Sequence, residues 1–196
     1  MNNQKEKIVS ISQKMYHEGL VAATSGNISY YDRKIGSVYI TPSSIPYDEL
    51  TAEDIATLDV DGNQTDGPKA PSSEWQMHLQ VYRSMPEINA IVHTHSVFAT
   101  SFAVVRQPID LILIEMDGYL GGSIPLADFA PPGTIELGDT AVQALRKNHT
   151  TCLLSNHGAL AVGDDLDDAY TKAVYLEDAA KIYYYAKNLG TPVILK

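Results

Sequence analysis

The sequence has 196 residues, of which 44% are hydrophobic and 19% are charged, proportions typical of one globular domain, here residues 1–196. Its formal net charge of −10 excludes a protein that binds nucleic acid through clustered basic residues, because no lysine or arginine cluster is present to release counterions. The single cysteine allows no disulfide within the chain, and no segment has the roughly 18 apolar residues of a membrane helix, so we expect a cytoplasmic protein with no membrane partner.

The spacing of apolar residues predicts alternating helices and strands. A first helix over 4–18 ends at Gly19. Further helices are predicted from Ser72 to Met85, from Ser96 through Val104, over 134–147 and over 165–189. Branched apolar runs predict strands over 38–41, 55–60, 88–95, 111–114, 123–129 and 151–156. This alternation, without a long linker or repeat, indicates a single-domain α/β sandwich.

A group of histidines and one glutamate predicts a metal site. His93 and His95 are separated by one residue at the end of an apolar run, so on a strand both side chains point to the same face. An isolated pattern of this kind also arises by chance, but His157 follows another apolar strand and Glu74 lies at a predicted helix start, where the helix dipole favours a carboxylate. Three neutral imidazoles and a carboxylate suit Zn²⁺, so we predict that these four residues bind zinc or another divalent metal such as Mn²⁺ or Co²⁺.

The other three histidines carry a weaker signal. His78 follows Glu74 by one helical turn, which favours a position behind the metal ligands. His17 and His149 lie in polar segments and are predicted to be surface residues.

Three short segments of small polar residues predict tight turns: "TSGNIS" (24–29), "TPSSIP" (41–46) and "PSSE" (71–74). Such loops expose backbone N–H groups and hydroxyls that can surround a phosphate dianion. Each segment alone also fits an ordinary turn. Together, in a chain with a candidate metal site, they favour a phosphorylated substrate.

These motifs, in this order, resemble the class II aldolase/adducin family. The resemblance runs through "GLVAATSGNIS", "ITPSSIPY", "KAPSSEW", "AIVHTHS", "SIPLADFAPPGT" and "LLSNHGALAVG", and so covers most of the chain. It implies an αβα sandwich with a central, mainly antiparallel β-sheet and a zinc-type metal site. It also implies a homotetramer whose active sites lie between subunits.

The resemblance further implies roles for single residues. Glu74 would be a metal-proximal carboxylate that acts as the acid/base, and His93, His95 and His157 would be metal ligands. The substrate phosphate would be held by Gly26, Asn27, Ser43, Ser44, Ser72 and Ser73. Ser44 stands where the family usually has a glycine.

The implied activity is metal-dependent cleavage of a small ketose 1-phosphate, of the L-fuculose-1-phosphate type, to dihydroxyacetone phosphate and an aldehyde. Glutamate at position 74 resembles the fuculose-phosphate aldolase branch, whereas Ile114 aligns with a catalytic tyrosine of that branch. Tyr119 and Asp117 are the remaining candidates for proton transfer at the aldehyde half, although their segment also fits a glycine-rich loop with one exposed tyrosine.

Two other functions are compatible with the resemblance. One is a sugar-phosphate epimerase of the L-ribulose-5-phosphate 4-epimerase type, which cleaves the same kind of bond and then rejoins the fragments. The other is a non-catalytic, adducin-like interaction domain. Such a domain would lack the histidines or Glu74, and this sequence retains them all.

Overall fold

The computed structural model describes residues 2–146 and 148–196. In this part of the chain one sheet contains eight strands: β1 (Asn27–Asp32), β2 (Ser37–Ile40), β3 (Ala56–Leu58), β4 (Gln64–Asp66), β5 (Ala90–Thr94), β6 (Leu126–Ala127), β7 (Thr151–Leu154) and β8 (Gly158–Gly163). Their order across the sheet is β4-β3-β2-β1-β5-β8-β7-β6. All neighbouring strands are antiparallel except β6 and β7, which confirms the expected mainly antiparallel sheet.

Helices cover both faces of the sheet. The described residues form α1 (Asn2–His17), α2 (Trp75–Ser84), α3 (Val97–Val104), α4 (Ile135–Leu145) and α5 (Leu166–Leu189). Alternate residues of β5 divide the core, since Ile91 packs in the cluster that contains α2 and α4 whereas Ala90 and Val92 pack in the cluster of α1 and α5. The chain is therefore an αβα sandwich, as expected.

The sheet order places β1, β5 and β8 side by side at its centre. Asn27 on β1 lies opposite His93 on β5, and His93 in turn lies opposite Leu160 on β8. Residues far apart in the sequence are thus brought to one place by strand register.

Several elements differ from the predicted ones. β1, β4 and β8 were not predicted, and β1 begins at Asn27, inside a segment predicted as a turn. The strand predicted over 123–129 shortens to Leu126–Ala127. The helix predicted over 134–147 ends at Leu145, and residue 147 lies outside the described residues.

The prediction of a strand over 111–114 is wrong. This segment is irregular and leads into a π-helical turn, Met116–Leu120. Leu111, Ile112 and Leu113 instead pack as partly buried side chains on the cluster formed by α3 and the second half of α5. A short apolar run can cover a core without joining a ladder, which is why its composition alone is ambiguous.

The longest helix is α5, with 24 residues. Asp165 caps it by accepting a hydrogen bond from the backbone N–H of Asp168 at 2.9 Å. No helix within the described ranges is both long and apolar enough to cross a membrane.

Candidate metal centre

Three histidines meet near the ends of the central strands. His93 is in β5, His95 lies just beyond the end of that strand, and His157 is in the turn between β7 and β8. The centroids of their rings are 4.8 to 5.0 Å apart in each of the three pairs. The predicted convergence of these three residues is therefore present in the folded chain.

Glu74 completes this cluster from the residue that precedes α2. Its Oε2 lies 3.1 Å from His93 Nε2, and its Oε1 lies 3.1 Å from His157 Nε2. One ligand atom from each of Glu74, His93, His95 and His157 lies within 4.8 Å of the others. We call these four residues the Glu–His group.

The hydrogen-bonding state of His93 provides a test of whether this group suits a metal ion. His93 Nδ1 lies 2.9 Å from the carbonyl oxygen of Ala159, so it donates there and a neutral ring presents a lone pair at Nε2. That lone pair faces Glu74 Oε2 at 3.1 Å and His95 Nε2 at 3.0 Å. Electron pairs this close repel unless a cation lies between them, and ligand atoms about 3–3.5 Å apart are expected around a tetrahedral zinc with bonds of about 2.0–2.2 Å.

A second observation points the same way. Glu74 Oε1 and His157 Nδ1 are buried, and neither has a hydrogen-bond partner of acceptable geometry among the described residues. A buried carboxylate that lacks a hydrogen bond at one oxygen is costly unless a nearby cation offsets its charge. The residues present therefore fit a divalent metal.

The ionisation states also favour metal binding. Burial of Glu74 acts to raise its pKa, but the neighbouring His93 and His157 outweigh burial and hold the pKa far below its ordinary value. Burial, and next the charge of His93, lower the pKa of His95 to about 4. At pH 7 the carboxylate is ionised and His95 is neutral, the states in which both groups bind metals.

Two glycines create the space around these histidines. A Cβ on Gly26, whose φ is +75°, would lie 2.7 Å from the His93 carbonyl oxygen and 2.6 Å from Val21 Cγ1. A Cβ on Gly158 would lie 2.3 Å from the Thr94 carbonyl oxygen. Gly26 is one of the predicted site residues, whereas Gly158 carried no signal in the sequence beyond its position next to His157.

The three segments predicted to hold a phosphate lie beside one another. Pro42 pairs with Pro71 in an isolated bridge, and the Ser72 N–H donates to the carbonyl of Thr41 at 2.9 Å. Tyr47 Oη lies 2.8 Å from the carbonyl oxygen of Gly26, which links the second segment to the first. The fold therefore gathers the three loops next to the Glu–His group.

The serines of these loops differ in their hydrogen bonds. Ser43 donates its N–H to the Ala70 carbonyl and its hydroxyl to the Pro71 carbonyl, so in this structure it fastens two loops together. Ser72 Oγ accepts a hydrogen bond from the Glu74 N–H at 3.3 Å and keeps its own proton to donate. Ser44 and Ser73 are exposed.

Ser44 has a φ of +63°, in the left-handed region. A side chain with a Cβ costs about 1–2 kcal/mol there, whereas glycine occupies the region freely. This conformation explains why a glycine is the usual residue at such a turn and leaves Ser44 as a local departure.

The structure does not bring Asp117 and Tyr119 into the Glu–His group. Both are exposed residues of the π-helical turn that follows residue 115. The Tyr119 ring stacks on that of Tyr175, with centroids 4.4 Å apart.

Of the polar residues behind Glu74, the sequence predicted the position of His78 and named Asn27 as a site residue, whereas Ser29 and Tyr82 were missed. Asn27 Nδ2 donates to Glu74 Oε2 at 2.9 Å, and Asn27 Oδ1 lies 2.5 Å from Nε2 of the fully buried His78. His78 in turn contacts Ser29, which contacts Tyr82. The spacing of Glu74, His78 and Tyr82, four residues apart along α2, is the signal that would have identified one shared helix face.

The two histidines predicted to be surface residues differ. His17 is exposed, with Nε2 3.3 Å from Asp48 Oδ1. His149 is half-buried, so the prediction is correct only for His17.

Known proteins resemble this chain over its whole length. The profile of the family described as "Class II Aldolase and Adducin N-terminal domain" matches residues 6–184. A 5-deoxy-D-ribulose 1-phosphate aldolase of Bacillus thuringiensis serovar kurstaki is 36% identical over 195 residues, covering 100% of this chain and 91% of that protein. An L-fuculose phosphate aldolase of Escherichia coli O6:H1 is 36% identical over 192 residues, covering 98% of this chain and 87% of that protein. A solved structure of an L-fuculose 1-phosphate aldolase superposes with a TM-score of 0.94 at 36% identity, covering 99% of this chain and 91% of that one.

The space around Gly26 generates a prediction. Gly26→Ala combines left-handed strain with a clash against the His93 backbone, and we expect a loss of roughly 2–4 kcal/mol in the free energy of unfolding. The control is Gly36→Ala, because Gly36 has a similar φ of +69° but no atom lies within 4 Å of the place that its Cβ would take. We expect that variant to lose only about 1 kcal/mol. Urea unfolding measures both, and equal losses would contradict the proposed clash.

Proposed function

Because this chain belongs to the class II aldolase and adducin family, we propose that it is a metal-dependent aldolase that cleaves a small ketose 1-phosphate to dihydroxyacetone phosphate and an aldehyde. The observation that carries the proposal is the Glu–His group, in which Glu74 Oε1 is buried without a hydrogen-bond partner among the described residues. An oxygen in that state is available to exchange a proton with a substrate.

We assign the metal to Glu74, His93, His95 and His157, and zinc is the ion that this donor set fits best. A bound cation at this place would supply Lewis-acid polarisation of the ketose carbonyl and the neighbouring hydroxyl. The work of binding, orientation and proton transfer falls to the residues of the chain.

Glu74 is proposed as the acid/base. When the bond between C3 and C4 of the ketose breaks, its electron pair remains on the dihydroxyacetone phosphate half, and that half must take up one proton at carbon. In the synthesis direction the ionised Glu74 removes this proton from carbon. In cleavage Glu74 must first take up a proton before it can deliver one, and the reaction supplies one proton, from the C4 hydroxyl, for the one that carbon gains. The C4 hydroxyl loses its own proton as the aldehyde forms, and we retain Tyr119 and Asp117 as candidates for that second transfer.

The gathered serine loops support a phosphorylated substrate. The Gly26 turn, Ser44, Ser72 and Ser73 supply backbone and hydroxyl donors beside the Glu–His group, while Ser43 holds two of the loops together. Asn27 uses one of its two Nδ2 hydrogens on Glu74, so the other can reach the substrate.

The substrate candidates come from the relatives. L-fuculose 1-phosphate and 5-deoxy-D-ribulose 1-phosphate are the sugars named for the similar aldolases, and both are ketose 1-phosphates that yield dihydroxyacetone phosphate. Release of free aldehyde separates this activity from an epimerase, which returns an isomeric sugar phosphate. The complete Glu–His group argues against a purely non-catalytic role.

We further propose a homotetramer in the cytoplasm, with active sites between subunits. Exposed apolar side chains on α3, on the residue that follows it and on α5 support self-association, since Val97, Val105 and Tyr185 are 66%, 63% and 52% exposed. The single cysteine, Cys152, is free and buried, which suits a reducing compartment. Light scattering after size exclusion measures the assembly, and we expect four chains. A monomer at micromolar concentration would contradict it.

One prediction concerns the metal. His95→Ala should lose most of the bound zinc and all aldolase activity while the protein remains folded, because His95 is only half-buried. Metal analysis and circular dichroism measure the two properties. His17→Ala is the matched control and should keep its zinc. Full activity in a metal-free preparation would refute the assignment.

Another prediction concerns the phosphate. The phosphorylated ketose should be cleaved with a kcat/KM at least about 10²-fold above that of the free ketose, because binding energy at the phosphate contributes to the transition state. Ser73→Ala should reduce this advantage, whereas Ser101→Ala, an exposed serine of α3, should not. Equal kcat/KM values for the phosphorylated and the free ketose would contradict the proposed phosphate site.

A third prediction separates the two roles of Glu74. In Glu74→Gln the three histidines should retain much of the zinc, while exchange of a dihydroxyacetone phosphate proton with deuterated water slows by about 10²–10⁴. The control is Glu87→Gln, which alters an exposed carboxylate. Wild-type exchange in a zinc-loaded Glu74→Gln protein would show that another group is the base.

A further inference from the structure

Four buried polar residues form a chain of hydrogen bonds that ends on Glu74. Tyr82 Oη lies 2.7 Å from Ser29 Oγ, which lies 2.6 Å from His78 Nδ1. His78 Nε2 lies 2.5 Å from Asn27 Oδ1, and Asn27 Nδ2 lies 2.9 Å from Glu74 Oε2. Tyr82, Ser29, His78 and Asn27 are each at most 3% exposed. We call these four residues the donor chain.

The direction of every hydrogen bond follows from the chemistry of the end that meets Glu74. A carboxylate only accepts, so the Asn27 amide nitrogen must face Glu74 and its oxygen must face His78. His78 Nε2 therefore carries a hydrogen. Burial, and next the charge of His93, lower the pKa of His78 to about 3, so the ring is neutral and Nδ1 is an acceptor.

The protonation of His78 fixes the remaining two hydrogen bonds of the donor chain. Ser29 has one hydroxyl hydrogen, and it must be donated to His78 Nδ1. Ser29 must then accept from the hydroxyl of Tyr82. Each member thus donates toward Glu74, and hydrogen bonds aligned in one direction polarise one another.

The two oxygens of Glu74 are consequently different. Oε2 accepts the hydrogen bond from Asn27, whereas Oε1, 3.1 Å from His157 Nε2, has no hydrogen-bond partner among the described residues. An oxygen that already accepts a strong hydrogen bond is the weaker base. The free oxygen is the better one to exchange a proton with a substrate carbon.

We propose that His78 is a positioning residue that acts through Asn27. It fixes the Asn27 amide so that Asn27 holds Glu74 Oε2, which leaves Oε1 as the oxygen that takes and returns the substrate proton. This inference rests on the aldolase function proposed above. Neither His78 nor Ser29 nor Tyr82 touches the substrate in this arrangement.

The test compares two substitutions of His78. His78→Leu removes the donor to Asn27, and we expect the kcat for proton exchange to fall about 10-fold to 100-fold, with zinc content and KM near those of the wild type. His78→Gln can place an amide N–H where the imidazole Nε2–H was, and it should recover most of the loss. Equal kcat values in the two variants, or a loss that follows zinc content, would overturn the proposal.

A second pair of variants covers the case in which His78→Leu does not fold. Tyr82→Phe removes only the far hydroxyl, and Tyr39→Phe is its control, because Tyr39 Oη is buried but has no hydrogen-bond partner among the described residues. We expect a several-fold fall in kcat for Tyr82→Phe and none for Tyr39→Phe. The same kcat in both variants would contradict a directed chain.

A readout without substrate separates this proposal from the proposed function. Long-range proton–nitrogen NMR of the zinc-loaded protein should show His78 protonated at Nε2 and unprotonated at Nδ1. Protonation at Nδ1 would overturn the donor direction, even in an active aldolase. If no ketose phosphate is cleaved but the Nε2–H form is present, the aldolase function fails while the donor chain stands.

Discussion

Glu74 is only 7% exposed. An ionised carboxylate that is buried in this way loses its hydration, which costs several kcal/mol unless nearby groups replace the lost water. Neighbouring groups stabilise the carboxylate of Glu74 from two sides. His93 and His157 approach its two oxygens at 3.1 Å on one side, and Asn27 donates to Oε2 from the other. The imidazole side fits a divalent cation, and the amide side fixes the orientation of the carboxylate.

The sheet makes this arrangement possible because its central strands come from distant parts of the sequence. β1 supplies Asn27, β5 supplies His93, and the turn before β8 supplies His157. The backbone at Gly26 and at Gly158 can approach β5 closely because glycine has no side chain. The same central position buries Glu74 and His93, which strengthens the electrostatic contacts between them, while His95 and His157 remain half-buried.

The donor chain is built from one face of α2 and one face of β1. Glu74, His78 and Tyr82 recur every four residues along the helix, while Asn27 and Ser29 recur every two along β1. The helix and the strand pack so that these two rows alternate within the donor chain. Polar groups in this position are stable only when each has a partner, and the four members satisfy one another.

Residue spacing was sufficient to predict an α/β sandwich of alternating helices and strands and the four members of the Glu–His group, because side-chain period and ligand chemistry are local properties. The αβα arrangement around a mainly antiparallel sheet was implied by the resemblance to the family. The sequence also indicated the polar loops, whose adjacency the structure shows, although the hydrogen bonds that use up the donors of Ser43 could not be read from it. Only the folded arrangement showed that 111–114 is not a strand, that β1 and β8 are strands, and that the donor chain exists. Asn27 and Glu74 are 47 residues apart, and Ser29 and Tyr82 are 53 apart. Contacts at such separations are set by strand register and helix packing, and no local pattern encodes them.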